Sequence, residues 1–165
     1  MIFFENRLNN LDETHTIWKQ QDLVTDLILS LCGEELGEGC FRKVYQYNPH
    51  PDYVIKLEYN NHNCNFTEAM LWNEIQYLTG TKAWVKDWFS PVDWISPNGR
   101  VLVMKKTEEK PKKKKPEKIP SFLWDVKDEN FGWLGNKFVC HDYGQFYNFI
   151  EYKKKFKKAT WWEDL

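Results

Sequence analysis

Two segments of the chain carry apolar residues at helical spacing. In residues 12–32 the stripe consists of Leu23, Leu27, Ile28 and Leu31. In residues 66–79 it consists of Leu71, Trp72, Ile75 and Leu78. Because this spacing places the side chains on one face, both segments are predicted to be amphipathic helices. Gly33 is a plausible stop signal for the first.

The pattern between and after these helices changes to short β-rich runs. The run from Phe41 to Tyr47 precedes Asn-Pro-His-Pro, and the run from Tyr53 to Tyr59 alternates between apolar and polar residues. Runs 84–96 and 100–106 meet at Ser-Pro-Asn-Gly, and residues 128–139 predict a hairpin that turns near Gly135-Asn136. This order predicts an α+β fold with a mainly antiparallel sheet.

The remaining segments are dominated by lysine. Residues 108–120 lack apolar periodicity, contain three prolines, and are predicted to be a solvated, mobile linker. The end of the chain, 147–165, is predicted to be a basic helix. The chain is thereby divided into an N-terminal helical extension (1–33), a sheet-containing part (34–107), the linker, and a C-terminal part (121–165).

Composition narrows the class of protein. Hydrophobic residues make up 42% of the 165, so a packed core is expected, and the net charge of −1 gives no overall attraction to nucleic acid or membrane. No apolar run approaches the ~18 residues of a membrane span. The N-terminus lacks the features of a signal sequence, and the four cysteines form no CxxC pair. We therefore expect reduced thiols and a cytoplasmic protein.

Two other kinds of site are less favoured. His62, Cys64, Cys140 and His141 do not have a zinc-finger spacing. The lysine run at 112–115 could contact nucleic acid, but a lysine run flanked by prolines is more often simply solvated. Nucleic acid is therefore not an expected partner.

Several short motifs carry candidate chemistry. Gly37 and Gly39 lie between two strands, where glycines let backbone N–H groups approach a polyphosphate, although two glycines in a hairpin are more often only a turn. Lys56 lies in the middle of the next strand. Glu74 on the following helix is the expected partner of Lys56, with Glu68 as a rival.

Further along, Asp-Val-Lys-Asp-Glu-Asn at 125–130 and His-Asp-Tyr-Gly at 141–144 complete an ordered series. This series resembles the protein kinase-like family, whose signatures are G-x-G-x-x-G-x-V, V-A-I-K, a helix glutamate, H-R-D-L-x-x-x-N and D-F-G. The resemblance covers residues 36–144. In its small size the chain looks most like kinase-like proteins encoded by bacteriophages, which implies a location in the host cytoplasm.

The resemblance implies a role for each matching residue. The loop over the nucleotide would use Gly37, Gly39, Phe41 and Val44. Lys56 would bind the α- and β-phosphates of ATP, paired with Glu74. Asp125 would accept the proton of the substrate hydroxyl, Lys127 would steady the γ-phosphate, and Asn130 and Asp142 would be Mg²⁺ ligands.

The chain also departs from the family pattern. Arg42 stands where the third loop glycine belongs, Leu123-Trp124 replaces His-Arg, and Tyr143 replaces phenylalanine. The lysine-rich linker replaces two helices, and only 21 residues follow Gly144.

The expected fold is thus a kinase-like N-lobe with a truncated C-lobe. The expected function is ATP–Mg²⁺-dependent transfer to protein serine or threonine. The alternative is a pseudokinase-type module that binds nucleotide or a protein partner without catalysis.

Overall fold

A five-stranded antiparallel sheet dominates the computed structural model, which describes residue 23 and residues 25–59, 62–110, 112–146 and 154–161. Its strand order is β1-β2-β3-β5-β4. The strands are β1 (Cys32–Glu38), β2 (Arg42–Tyr47), β3 (Tyr53–Glu58), β4 (Val92–Ile95) and β5 (Val101–Lys105). Helix α1 (Cys64–Ile75) follows β3, and a 3₁₀ segment (Gly80–Trp88) leads into β4. The predicted α+β class with an antiparallel sheet is confirmed.

The register of the sheet places a mixed set of side chains on the face toward α1. Val44 is the Cα partner of Lys56, and Arg42 is the partner of Glu58. Because side chains alternate along a strand, these four share a face. They adjoin an apolar core that includes Ile75 of α1, which confirms the predicted apolar stripe of this helix.

The C-terminal part consists of two small antiparallel pairs. Strands β7 (Phe131–Leu134) and β8 (Lys137–Cys140) form a hairpin, and β6 (Lys118–Pro120) pairs with β9 (Phe156–Lys158). A 3₁₀ turn, Asp128–Asn130, precedes β7. Gly135 adopts a positive φ of 60° at the hairpin turn, as the sequence predicts. Leu123, Phe131 and Phe138 join the same core.

Two secondary-structure predictions are wrong in part. Residues 84–88 belong to the 3₁₀ segment rather than to a strand. Residues 156–158 form β9 rather than a helix, because their backbone pairs with β6 while the Phe156 ring packs against Trp84 and Trp88. The rest of the predicted terminal helix, 147–153 and 162–165, lies outside the described residues.

The lysine-rich segment is not a free tether, contrary to the expectation. Lys110 donates to the Gly135 carbonyl, and the Lys113 ammonium lies 3.9 Å from the centroid of the Trp133 ring. Lys115 pairs with Asp128. The segment is thus held by polar and cation–π contacts with the β7–β8 hairpin and with the 3₁₀ turn before it.

The N-terminal extension is only partly described. Residues 25–31 are helical, as predicted, and β1 begins at Cys32. Leu23 and Leu27 of the predicted stripe are 59% and 57% exposed. No helix among the described residues has the length and apolar character to cross a membrane.

Candidate functional site

Lys56 forms a buried ion pair at the centre of the sheet. Only 3% of the residue is exposed, and its Nζ lies 3.0 Å from each carboxylate oxygen of Glu68, a residue with no exposure. The same Nζ lies 2.5 Å from the carbonyl oxygen of His141. Burial and the positive charge of Arg42 lower the pKa of Lys56, although Glu68 opposes this shift. Lys56 is therefore not one of the solvent-facing lysines that are common on strands.

Glu74 is not the partner of Lys56, and this prediction is corrected. Glu74 is exposed, whereas Glu68 lies on the face of α1 toward the sheet. The step of six positions from Glu68 to Glu74 turns an α-helix by about 600°, which places the two side chains about 120° apart. Only one of them can therefore face Lys56.

Arg42 is the site residue that the sequence prediction missed. The residue is 6% exposed. Its Nη2 lies 2.6 Å from Oε1 of Glu68 and 2.5 Å from Oδ1 of Asp142, and its Nη1 lies 3.1 Å from Oδ1 of Asn65. Burial would lower the pKa of Arg42, but the two carboxylates outweigh it and raise that pKa. The sign of this role in the sequence was that Arg42 stands where the family pattern has its third loop glycine.

The surroundings of Arg42 are built to hold it. Asn65 is fully buried, and its side-chain amide donates to the Gly99 carbonyl at 2.9 Å, which fixes its oxygen toward Arg42. At the start of α1, the backbone N–H of Asn65 donates to the side-chain carboxylate of Glu58. A Cβ on Gly144 would lie 3.0 Å from Nη2 of Arg42 and 2.7 Å from Cβ of Cys64. Gly144 therefore permits the close approach of the guanidinium.

Asp142 remains ionised in this cluster. Burial alone would raise its pKa, but the positive charges of Arg42 and Lys56 outweigh this effect and lower the pKa to about 2. The side chain of Asp142 is 50% exposed. It is therefore the carboxylate through which the cluster meets solvent.

The residues on either side of Asp142 anchor it. The Tyr143 backbone N–H donates to Oε1 of Glu68 at 3.0 Å, and its buried hydroxyl donates to the Ser90 carbonyl at 2.7 Å. Nε2 of His141 donates to the Glu129 carbonyl at 2.8 Å. Nδ1 lies 2.7 Å from the Thr107 hydroxyl, from which it accepts a hydrogen bond when the ring is neutral. Burial and Lys56 lower the pKa of His141 to about 4.

The predicted catalytic loop is linked to this cluster through Asn130. Its Nδ2 donates to Oδ2 of Asp125 at 2.9 Å. Its backbone carbonyl accepts from the N–H groups of His141 at 2.9 Å and Asp142 at 3.4 Å. Lys127 is half-buried and lies 3.7 Å from a carboxylate oxygen of Glu129. The structure thus brings Asp125 and Asn130 together and ties them to Asp142.

The turn that contains Gly37 and Gly39, here called the glycine turn, joins β1 to β2. Nothing lies within 4 Å of a Cβ built on Gly37, and Gly39 has only the Arg42 carbonyl at 3.9 Å. Phe41 packs on the His62 ring, with the ring centroids 3.8 Å apart. Val44 is half-buried beside Lys56. The turn is open and exposed, whereas Phe41 is held at its side.

Asn130 and Asp142, the predicted metal ligands, have the donor types that Mg²⁺ requires. Carboxylate and amide oxygens suit this hard cation, with phosphate and water oxygens completing its octahedron. In donor chemistry the two residues fit the ion, but Arg42 competes for one oxygen of Asp142. Among the described His, Cys, Asp and Glu residues, no group of three converges on a metal position. This statement covers the four residues considered for zinc. All four cysteines are free.

Comparisons with protein-family models, with curated proteins and with solved structures found no match to this chain. The chemistry of the site is therefore deduced from its own residues.

Proposed function

We propose that this chain is a reduced protein-kinase-like protein that binds ATP with Mg²⁺ and transfers the γ-phosphoryl group to a serine or threonine of a protein. The observation that carries the proposal is the buried ion pair between Lys56 of a central strand and Glu68 of the following helix, beside Asp142. In protein kinases the corresponding lysine binds phosphates, the helix glutamate holds it, and the aspartate binds metal.

The connectivity around the ion pair supports the same proposal. The glycine turn joins β1 to β2, Lys56 lies on β3, and α1 carries Glu68 before the chain returns to the sheet as β4 and β5. Asp125 and Asp142 flank the β7–β8 hairpin. Five positions of the family pattern are thus linked by hydrogen bonds, ion pairs or adjacency in the chain, namely Lys56, Glu68, Asp125, Asn130 and Asp142.

Each residue has a defined task in this proposal. Lys56 binds the phosphates, and Glu68 fixes its position. Asp125 accepts the proton of the acceptor hydroxyl, whose oxygen forms a bond to the γ-phosphorus while the bond to the ADP oxygen breaks. The side-chain amide of Asn130 orients the Asp125 carboxylate. Asn130 and Asp142 would hold Mg²⁺, which when bound neutralises phosphate charge.

A second candidate is a pseudokinase-type module that binds nucleotide or a protein partner and does not transfer phosphate. The Arg42–Asp142 ion pair favours it, because one oxygen of a predicted metal ligand is already bound to a guanidinium. The three donors of the Lys56 ammonium also have protein acceptors.

The test measures transfer and binding in parallel. The protein is incubated with γ-labelled ATP and Mg²⁺, alone and with cell extract, and ATP binding is followed by thermal unfolding. Asp125→Asn should abolish label transfer and retain binding, since Asp125 acts on the acceptor. The exposed Asp93→Asn is the matched control and should behave as wild type. Saturation at 100 times Kd stabilises a fold by ~2.7 kcal/mol, which is readily measured.

Four results decide between the candidates or contradict both. Transfer by wild type and Asp93→Asn, but not by Asp125→Asn, supports the kinase. ATP-dependent stabilisation without any transfer supports the binding module instead. Absence of both in the wild type contradicts the nucleotide site altogether, and so does an equal ATP shift in Lys56→Met.

A further inference from the structure

The guanidinium of Arg42 lies among oxygen acceptors that could also surround another cation. Three oxygen acceptors surround it, on Asn65, Glu68 and Asp142, at 2.5–3.1 Å. Oxygen donors are also what a hard metal ion requires. The absence of a side chain at Gly144 makes room for the guanidinium. An arginine from β2 thus stands beside the aspartate that the kinase-like pattern assigns to a metal.

The charges of the cluster balance without a metal ion. Arg42 and Lys56 supply two positive charges, and Glu68 and Asp142 supply two negative charges. A divalent cation at Asp142 would have to share this carboxylate with a guanidinium only 2.5 Å from Oδ1. Like charges at such short range repel strongly where solvent screening is weak. The guanidinium therefore weakens the affinity of Asp142 for a divalent cation.

We propose that Arg42 is a built-in counter-cation of the nucleotide site, which does the work of a divalent metal in nucleotide binding, so that the site binds a nucleoside triphosphate in the absence of divalent cations, while Mg²⁺ at Asn130 and Asp142 serves the proposed transfer. This rests on the proposed nucleotide site, and it implies that binding does not require Mg²⁺.

Asp142 and the glycine turn are the places where solvent comes nearest to these cations. The Asp142 side chain is half exposed, and the backbone of the glycine turn is unobstructed around Gly37. A guanidinium has five N–H donors, and the three protein contacts of Arg42 use three of them. Phosphate oxygens are strong acceptors for such a planar donor.

The test is a titration of the full chain with ATP, once in EDTA and once in Mg²⁺, followed by calorimetry. The wild-type Kd should differ by less than about threefold between the two conditions. Arg42→Gly restores the residue type of the kinase pattern. In this variant Mg²⁺ should tighten ATP binding by about tenfold or more, which corresponds to about 1.4 kcal/mol of binding free energy. Arg42→Lys keeps the charge and should remain closer to wild type.

The outcomes separate this inference from the proposed function. A wild type that binds ATP only with Mg²⁺ overturns the counter-cation role and leaves the nucleotide site intact. A wild type that never binds, beside an Arg42→Gly variant that binds with Mg²⁺, shows that Arg42 blocks the site and also overturns it. If no form binds ATP, both proposals fail. The wild-type comparison alone decides the matter if Arg42→Gly does not fold.

Discussion

Replacing Glu68 by glutamine tests the centre of the buried cluster. Glu68 accepts from Lys56, from Arg42 and from the Tyr143 backbone, and it has no solvent exposure. The amide keeps the shape but removes the negative charge. Two buried cations then share Asp142 alone. Breaking a buried ion pair by removing one partner costs about 3–5 kcal/mol, and the retained amide oxygen favours the lower end.

Such a loss is large against the whole stability of a domain, which is typically about 5–15 kcal/mol. For a chain of this size, about 3 kcal/mol corresponds to a drop in Tm of roughly 6–12 °C. Urea unfolding followed by tryptophan fluorescence measures it, with an unchanged m-value as the sign that both states are otherwise intact. Glu74→Gln, on the exposed face of the same helix, is the control. An exposed charge contributes at most about 1 kcal/mol.

The two variants together refute or support the assignment of Glu68. If Glu74→Gln costs as much as Glu68→Gln, the cluster does not have the electrostatic role deduced here. A Glu68→Gln variant as stable as wild type would also contradict it, because two buried cations with a single carboxylate between them would then be tolerated in the core.

Three further perturbations follow from the described contacts. Gly144→Ala should lower the free energy of unfolding by about 1–3 kcal/mol, because its Cβ has no room, whereas Gly37→Ala has open space and should cost little. Because the pKa of His141 is lowered in the folded chain, the unfolded chain binds more protons than the folded chain between pH 6.5 and about 4. Stability should therefore decrease across that window in urea titrations, and His141→Gln should flatten the decrease; an identical pH profile in the variant would contradict the neutral ring. Lys113→Met should lower the free energy of unfolding by about 0.5–1 kcal/mol in the same assay, because the cation–π contact with Trp133 is lost. An unchanged free energy of unfolding would indicate that this contact does not hold the segment.

Periodicity predicted the elements whose structure is locally determined. The alternation around Lys56 gave β3, the apolar stripe around Ile75 gave α1, and the turn at Gly135 gave the β7–β8 hairpin. The 3₁₀ segment over Gly80–Trp88 and strand β9 escaped prediction. Both owe their form to packing and pairing with distant residues, which local patterns do not encode.

The site was predictable to the extent that its residues follow a linear pattern. Lys56, Asp125, Asn130 and Asp142 were found by order and spacing, and the structure connects them by hydrogen bonds. The choice of Glu74 over Glu68 failed because two glutamates on one helix differ only in their angle about its axis. Arg42 was noted as a departure, but its reach to residues up to 100 positions away becomes visible only in three dimensions.

Stability alone gives little reason for a cluster of this kind. Arg42, Lys56 and Glu68 are nearly or fully buried. Replacement of buried ion pairs by packed apolar residues is often neutral or stabilising by about 1–4 kcal/mol. A sequence shaped for folding alone would thus gain from leucine or methionine at these positions. Places where a chain departs from the locally favoured choice are where function is expected. The half-exposed Asp142 is the point at which solvent reaches this cluster, and the proposed nucleotide site depends on that opening.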